Sequence, residues 1–160
     1  MRHDTPPANT ALLDELAQHL RSETAHVAEF LQVLGGEARL LASGHRPEAM
    51  HKAVRDKQAI VAVLEADEER RRALLIRLGL PADDAAQAAS FDVLAQRHEA
   101  LAGPWRDLRE RARAAGDLNR RNGAMLAVHA KHVEGALADI RQARSQSVIY
   151  DARGRARKLG

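Results

Sequence analysis

Two histidines of this sequence have a spacing that metal sites use. His129 and His132 stand three residues apart in a segment with helical periodicity, and the chain has eight histidines in all. A stable metal site needs further ligands and hydrogen bonds that orient them. We therefore favour two ordinary helix histidines, and we predict no metal and no other cofactor.

Asn122 is a polar residue on an otherwise apolar helical face. A buried asparagine can fix the register between packed helices at some cost in stability. The alternative is that Asn122 caps a local bend or faces a gap. The sequence leaves both interpretations open.

No motif of a familiar enzyme class occurs in the chain. It contains no glycine-rich phosphate loop, no HExxH pair and no nucleophile elbow. With no cysteine there is no thiol nucleophile and no disulfide, as is usual in a reducing compartment. We predict a protein that is not an enzyme.

The composition favours one helical domain over residues 1–160. Hydrophobic residues make up 45% of the chain but aromatic residues only 2%, so the core must consist of small aliphatic side chains. Such side chains suit close packing of helix on helix. No signal peptide or membrane span is recognisable, so we expect a cytoplasmic protein without membrane insertion.

The basic charge of the chain is concentrated at its end. The net charge is +3, yet from Arg141 onward there are six basic residues and one acid, and residues 1–140 hold 19 basic and 21 acidic residues. Such asymmetry is more typical of an interaction tail than of a body that binds nucleic acid. We predict flexible ends at residues 1–9 and 147–160.

A seven-residue repeat predicts the first long helix. Apolar side chains recur at Leu13, Leu20, Val27, Leu34 and Leu41, as in a coiled coil or an extended bundle. Asn9 or Thr10 can cap its start, and a break is expected near Gly44. Whether the pair Gly35 and Gly36 bends this helix is open.

Three more helices are expected. The second begins near Pro47 and stops at Gly79, a short one covers about 90–102, and the fourth runs from Trp105 to about Gln146 after Gly103 and Pro104. The charged run 65–72 is expected to face solvent. The fold class is all-α: an elongated antiparallel bundle with coiled-coil-like packing, three long helices and one short one. The inward face of the fourth helix is predicted to contain Leu108, Ala112, Ala115, Leu118, Asn122, Met125, Leu126, His129, Val133, Leu137 and Ile140.

Several segments together resemble the FlgN family of flagellar export chaperones. They are GGEARLL with Glu37, the run KQAIVAVLEADEERRRALLIRLG from Lys57, DLNRRNGAML around Asn122, and IYDARG with Tyr150. No single motif is diagnostic, but their order covers the chain from about Leu12 to Gly154. The resemblance therefore rests on the set and on its order.

The resemblance implies a cytoplasmic chaperone of the flagellar type III export pathway. Such proteins bind hook-filament junction proteins, prevent their premature assembly and deliver them to the membrane export gate, with the export ATPase complex as a further partner. The family's C-terminal tyrosine, which docks to the export gate, corresponds to Tyr150. The helix that engages the cargo corresponds to about residues 126–146, and no family role is assigned to the RARK ending.

We predict that the cargo-binding surface contains Val133, Leu137, Ile140, Val148 and Ile149, and that Tyr150 contacts the gate. For the three helix residues, the alternative is a place in the bundle core.

Two other functions compete with the chaperone. One is a structural or adaptor coiled-coil protein that oligomerises through the heptad helix. The other is nucleic-acid binding by the tail, which the acidic body and the single tail aromatic disfavour.

Overall fold

The described part of the chain forms four helices, which confirms the all-α fold class. The computed structural model describes residues 7–44, 46–146, 148–150 and 156–158, and the side chains of residues 9–44 and 46–142. The helices are α1 (Pro7–Ala42), α2 (Pro47–Arg77), α3 (Asp84–Arg97) and α4 (Glu99–Gln146). The chain forms two compact units, residues 1–120 and 121–160, and α4 contributes to both. Within the described residues, no helix is long and apolar enough to cross a membrane.

The predicted heptad of α1 forms one side of the core of the first unit. All five of its positions are buried, and α1 packs along α2 as a helical hairpin. Leu74 and Leu75 of α2, Phe91 of α3 and Leu101 of α4 join the same buried cluster. The apolar face that a coiled-coil oligomer would need is therefore already covered inside the chain.

Polar side chains also lie between α1 and α2. His26 Nδ1 donates to Asp67 Oδ2 at 2.6 Å, and the buried His19 donates from Nε2 to the Asp67 carbonyl oxygen at 2.8 Å. Nearer the turn, Lys57 Nζ lies 3.1 Å from the buried Glu37 carboxylate. A one-residue slip of α2 along α1 would break these pairs, so they fix the register of the hairpin.

The charged run 65–72 departs from expectation at Arg71. Its guanidinium pairs with the buried Glu23 of α1, and the Arg71 side chain is only 19% exposed. The guanidinium carbon also lies 5.9 Å from the centroid of the Trp105 ring. The expectation of a solvent-facing run is therefore wrong at Arg71, which pairs with a buried carboxylate of α1. It is also wrong at Asp67, whose side chain is only 13% exposed and pairs with His26 of α1.

Trp105 connects α3 and α4 to this pair. Its ring contacts Phe91 at a centroid distance of 4.4 Å. The guanidinium carbon of Arg109, which is also on α4, lies 5.7 Å from the centroid of the Trp105 ring. Trp105 Nε1 donates to Asp92 Oδ1 at 2.7 Å, and the Arg109 guanidinium donates to the same oxygen at 2.8 Å. An indole that is both packed and hydrogen-bonded holds the two helices in one arrangement.

The boundary between α3 and α4 differs from the prediction. The break falls at His98, whose backbone is extended, and α4 continues through Gly103 and Pro104. The loss of one helical hydrogen bond at a proline is tolerated here because Leu101 is fully buried and Trp105 packs on Phe91. α3 also begins earlier than expected, where Asp83 caps it by accepting a hydrogen bond from the Ala86 amide.

The start of α1 precedes the predicted caps. The helix begins at Pro7, a residue that suits the first turn because it needs no amide partner there. Of the predicted flexible segment 1–9, residues 1–6 lie outside the described residues. α1 is continuous through Gly35 and Gly36.

A two-stranded antiparallel hairpin occurs in the tail, where no strand was expected. β1 (Val148–Tyr150) pairs with β2 (Ala156–Lys158), with Val148 opposite Lys158 and Tyr150 opposite Ala156. Isolated hairpins of this size are marginal in water. The flexibility of the tail and the single-domain organisation stay predictions.

The pair of Arg71 and Glu23 predicts that replacing Arg71 by alanine lowers the free energy of unfolding much more than replacing its neighbour Arg70. We expect Arg71→Ala to destabilise the fold by about 3 to 5 kcal/mol, because it leaves the Glu23 carboxylate buried without its cation. Arg70 is the control: its pair with Glu15 is exposed, so Arg70→Ala should cost less than about 1 kcal/mol. Urea unfolding followed by circular dichroism measures both, and equal losses would contradict the assignment.

Candidate functional site

The carboxyl-terminal part of α4 presents an uncovered apolar face. Leu126, Val133, Leu137 and Ile140 are 50%, 59%, 45% and 52% exposed. They occupy positions i, i+7, i+11 and i+14, so they line one side of the helix together with Ala130. We call these five residues the exposed face of α4.

The amino-terminal part of the same helix is different. Leu101, Leu108, Ala115 and Asn122 follow one another at seven-residue spacing and are all buried. The predicted inward stripe of α4 is therefore correct for Leu108, Ala115 and Asn122, with Leu118 half-buried, and wrong for Ala112, Leu126, Val133, Leu137 and Ile140, which are exposed. Periodicity shows that a helix has an apolar face, but it does not show which chain covers that face.

The exposed face of α4 has a spacing of apolar side chains that suits the binding of a partner helix. Large exposed apolar patches on a folded unit mark interaction sites. A partner helix can place its own apolar residues between side chains at i, i+3 or i+4 and i+7 spacing. Lys131, Glu134, Asp139 and Arg141 are exposed on the same segment, so both signs of charge lie near this face.

The opposite side of α4 provides an internal comparison. Val128 is 52% exposed, as much as Ile140, but it lies outside the heptad positions of the exposed face. A single apolar residue on a polar surface is common and needs no partner. The face is therefore distinguished by its periodic spacing and not by exposure alone.

Among the described residues, the two histidines of α4 do not form a cluster with other metal ligands. His132 Nδ1 bonds to the Val128 carbonyl oxygen of its own helix at 3.0 Å, and His129 is half-buried. Over the part of the chain that the structure describes, no three histidine or acidic side chains come together as metal ligands would. Asn122 is buried as predicted, and its role in helix register stays a prediction.

The predicted tail residues lie in the small hairpin. Val148, Ile149 and Tyr150 make up β1, and Ile149 stands opposite Arg157 of β2. Their side chains lie outside the described part of the chain. The assignment of Val148 and Ile149 to the cargo surface, and of Tyr150 to the gate, therefore stays a prediction.

A cavity lies between α3 and α4, beside Trp105. It has a volume of about 720 Å³ and is lined by Ala95, Ala102, Trp105 and several charged side chains. Of these, Asp92 and Arg109 pair with each other, and Asp117 pairs with Arg120. Polar groups that already satisfy one another in this way indicate a structural role.

Comparison with known proteins agrees with the order of segments noted in the sequence. No curated protein and no solved structure matches the chain. One family model, described as FlgN protein, matches residues 1–158, which is nearly the whole sequence. The chain therefore belongs to the FlgN family.

Proposed function

We propose that this protein is a cytoplasmic export chaperone for flagellar hook-filament junction proteins. It binds the amphipathic helical ends of these proteins, prevents their premature assembly and delivers them to the flagellar type III export gate. Membership of the FlgN family supports the chaperone role. The observation that carries the proposal is the exposed face of α4, since it supplies a helix-binding surface in the segment that corresponds to the family's cargo helix.

The binding energy comes from covering apolar surface. Burial contributes about 25 cal/mol per Å², and the ordering of both partners reduces the net affinity. Four large aliphatic side chains at heptad spacing can anchor one cargo helix of about four turns. An affinity of this origin stays reversible, as the release of cargo at the gate requires.

Charge plays a secondary part in this mechanism. Lys131, Glu134, Asp139 and Arg141 provide both cations and anions around the face. Exposed pairs with charges on the cargo would influence association rate and orientation more than affinity. The apolar anchors are therefore the residues whose replacement tests the proposal.

The first prediction concerns the apolar anchors. The double variant Val133→Ser, Leu137→Ser should bind a purified hook-filament junction protein at least about tenfold more weakly. Full burial of one such side chain contributes roughly 1.5 kcal/mol or more, and because each is about half exposed in the free chain, covering the two together contributes about that amount. Both residues are exposed in the free protein, so its unfolding free energy should change by only about 0.5 kcal/mol. Isothermal titration calorimetry and urea unfolding measure the two quantities.

Val128→Ser is the matched control for that variant. It removes a similarly exposed aliphatic side chain from the same helix but not from the exposed face. We expect it to bind cargo as the wild type does. An equal loss of affinity in the control and in the double variant would exclude the exposed face as the cargo surface.

The second prediction concerns Tyr150. Tyr150→Ala should retain full affinity for the junction protein and lose binding to the export gate, because the resemblance to the FlgN family assigns gate docking to this tyrosine. A pull-down with the two partners separates the effects. Tyr150→Phe shows whether the ring or the hydroxyl is needed, and gate binding by the alanine variant at wild-type strength would reject the docking role.

The third prediction concerns the tail as part of the cargo surface. A chain that ends at Arg144 retains the exposed face of α4 but lacks Val148 and Ile149. If these residues complete the surface, the truncated chain should bind cargo several-fold more weakly in calorimetry, since it buries less apolar area. Full affinity of the truncated chain would remove the tail from the cargo site.

A further inference from the structure

The exposed face of α4 ends where the most basic part of the chain begins. Arg141 is exposed and follows Leu137 by four residues, which is about one turn further along the helix. From Arg141 to the end, the sequence has six cations and one anion, whereas residues 1–140 have a small acidic excess. Apolar surface and positive charge are therefore neighbours within one compact unit, residues 121–160.

The positive charge is concentrated at one end of the face. Between Leu126 and Ile140 the exposed charges are mixed, with the cation Lys131 and the anions Glu134 and Asp139. The excess begins beyond Ile140 in the sequence, and its members are Arg141, Arg144, Arg153, Arg155, Arg157 and Lys158. An apolar helical face followed by a basic segment is the pattern of peripheral membrane binding.

The tail hairpin combines the same two kinds of residue. Its register sets Val148 opposite Lys158 and Ile149 opposite Arg157. A two-stranded hairpin with three residues in each strand is marginal in water. A surface that accepts aliphatic residues and cations together stabilises such a hairpin. The face of α4 and the hairpin therefore favour the same kind of partner.

Two anionic partners match the charge of the tail, and the apolar residues distinguish them. A nucleic acid neutralises the cations, but its bases stack on aromatic rings, and the segment 141–160 has a single one, Tyr150. The aliphatic side chains of the exposed face gain nothing from a phosphate backbone. An anionic bilayer has phosphate headgroups directly above hydrocarbon, so it accommodates the cations and the aliphatic side chains at once.

We propose that the carboxyl-terminal unit binds the surface of an anionic phospholipid membrane. The four aliphatic side chains of the exposed face enter the boundary between headgroups and acyl chains, and the cations of the segment 141–160 pair with lipid phosphates. Within the described ranges no helix is long and apolar enough to cross a membrane. α4 therefore lies on the membrane and does not span it.

Binding of this kind needs both of its components. A small apolar face alone holds a protein to a membrane only weakly and reversibly. Each lysine or arginine near an anionic surface increases the binding constant about fivefold, and salt screens this contribution. The chain therefore distinguishes anionic from zwitterionic membranes, and its binding weakens as the ionic strength rises.

This proposal does not rest on the proposed chaperone function, although both use the exposed face of α4. If a cargo helix covers that face, cargo and bilayer exclude each other there, whereas the cations of the tail stay available to lipid. The vesicle experiments below contain no cargo, and the calorimetry with a junction protein contains no lipid. Each proposal can therefore fail without the other.

Co-sedimentation of the full chain with large unilamellar vesicles tests the proposal. Vesicles of phosphatidylglycerol and phosphatidylethanolamine should bind the chain at least about tenfold more tightly than vesicles of phosphatidylcholine. An increase in NaCl from about 50 to about 500 mM should remove most of this difference, because the salt screens the lipid charge.

Two double variants test whether the tail supplies the cations. Arg157→Gln, Lys158→Gln should weaken binding to the anionic vesicles at least about tenfold, because two cations leave the membrane surface. The matched control Arg111→Gln, Arg113→Gln removes the same charge from exposed positions of the first unit. We expect the control to bind within about twofold of the wild type.

A fluorescent label tests whether the exposed face meets the bilayer. Because the chain has no cysteine, a single introduced cysteine directs the label to one position. Ala130→Cys places an environment-sensitive nitrobenzoxadiazole group on the exposed face, and Val128→Cys places it on the opposite side of α4. With anionic vesicles the emission should shift to shorter wavelength at position 130 and stay as in water at position 128.

Four results would overturn the proposal. The first is equal binding, or none, to anionic and zwitterionic vesicles. The second is an equal loss in the two double variants, which would make net charge the cause. The third is the same emission shift at positions 128 and 130, which would exclude the face as the contact. The fourth is tighter binding of a single-stranded oligonucleotide than of anionic vesicles in the same buffer, which would assign the cations to nucleic acid.

Discussion

The first unit depends on one buried charge. Glu23 of α1 is a carboxylate in an aliphatic core, and such a group destabilises a fold unless a cation reaches it. Arg71 supplies that cation from α2, and the same guanidinium lies near the Trp105 ring of α4. Trp105 in turn packs on Phe91 and bonds to Asp92 of α3. One ion pair thereby links all four helices in a chain that has few aromatic side chains to do so.

Polar pairs between α1 and α2 also explain how a core of small aliphatic residues can specify one arrangement. Leu, Val and Ala side chains pack in several registers with similar energy, because their contacts are not directional. The hydrogen bonds of His19 and His26 with Asp67, and the Lys57 pair with Glu37, are directional. They select one register along α1 and α2, while the apolar heptad supplies most of the stabilisation.

The features that follow from local periodicity were predictable from the sequence. The heptad from Leu13 to Leu41 predicted both the helix and its buried side, and the order of segments pointed to the FlgN family. Features that depend on tertiary contacts were not predictable. Arg71 is one residue among three arginines, and only the position of Glu23 on another helix distinguishes it. The start of α4 before Pro104 likewise depends on the burial of Leu101.

The candidate site could also be predicted from the sequence only in part. The sequence identified Val133, Leu137 and Ile140 as apolar residues of one helical face, but could not show that they stay uncovered in the free chain. This exposure has a consequence for how the protein can change. Core residues such as Leu108 are constrained by every neighbour that they touch, whereas the exposed face of α4 can be substituted without disturbing the fold. On the proposal that this face binds cargo, related chains could acquire different cargo preferences through it alone, while the first unit is inherited intact.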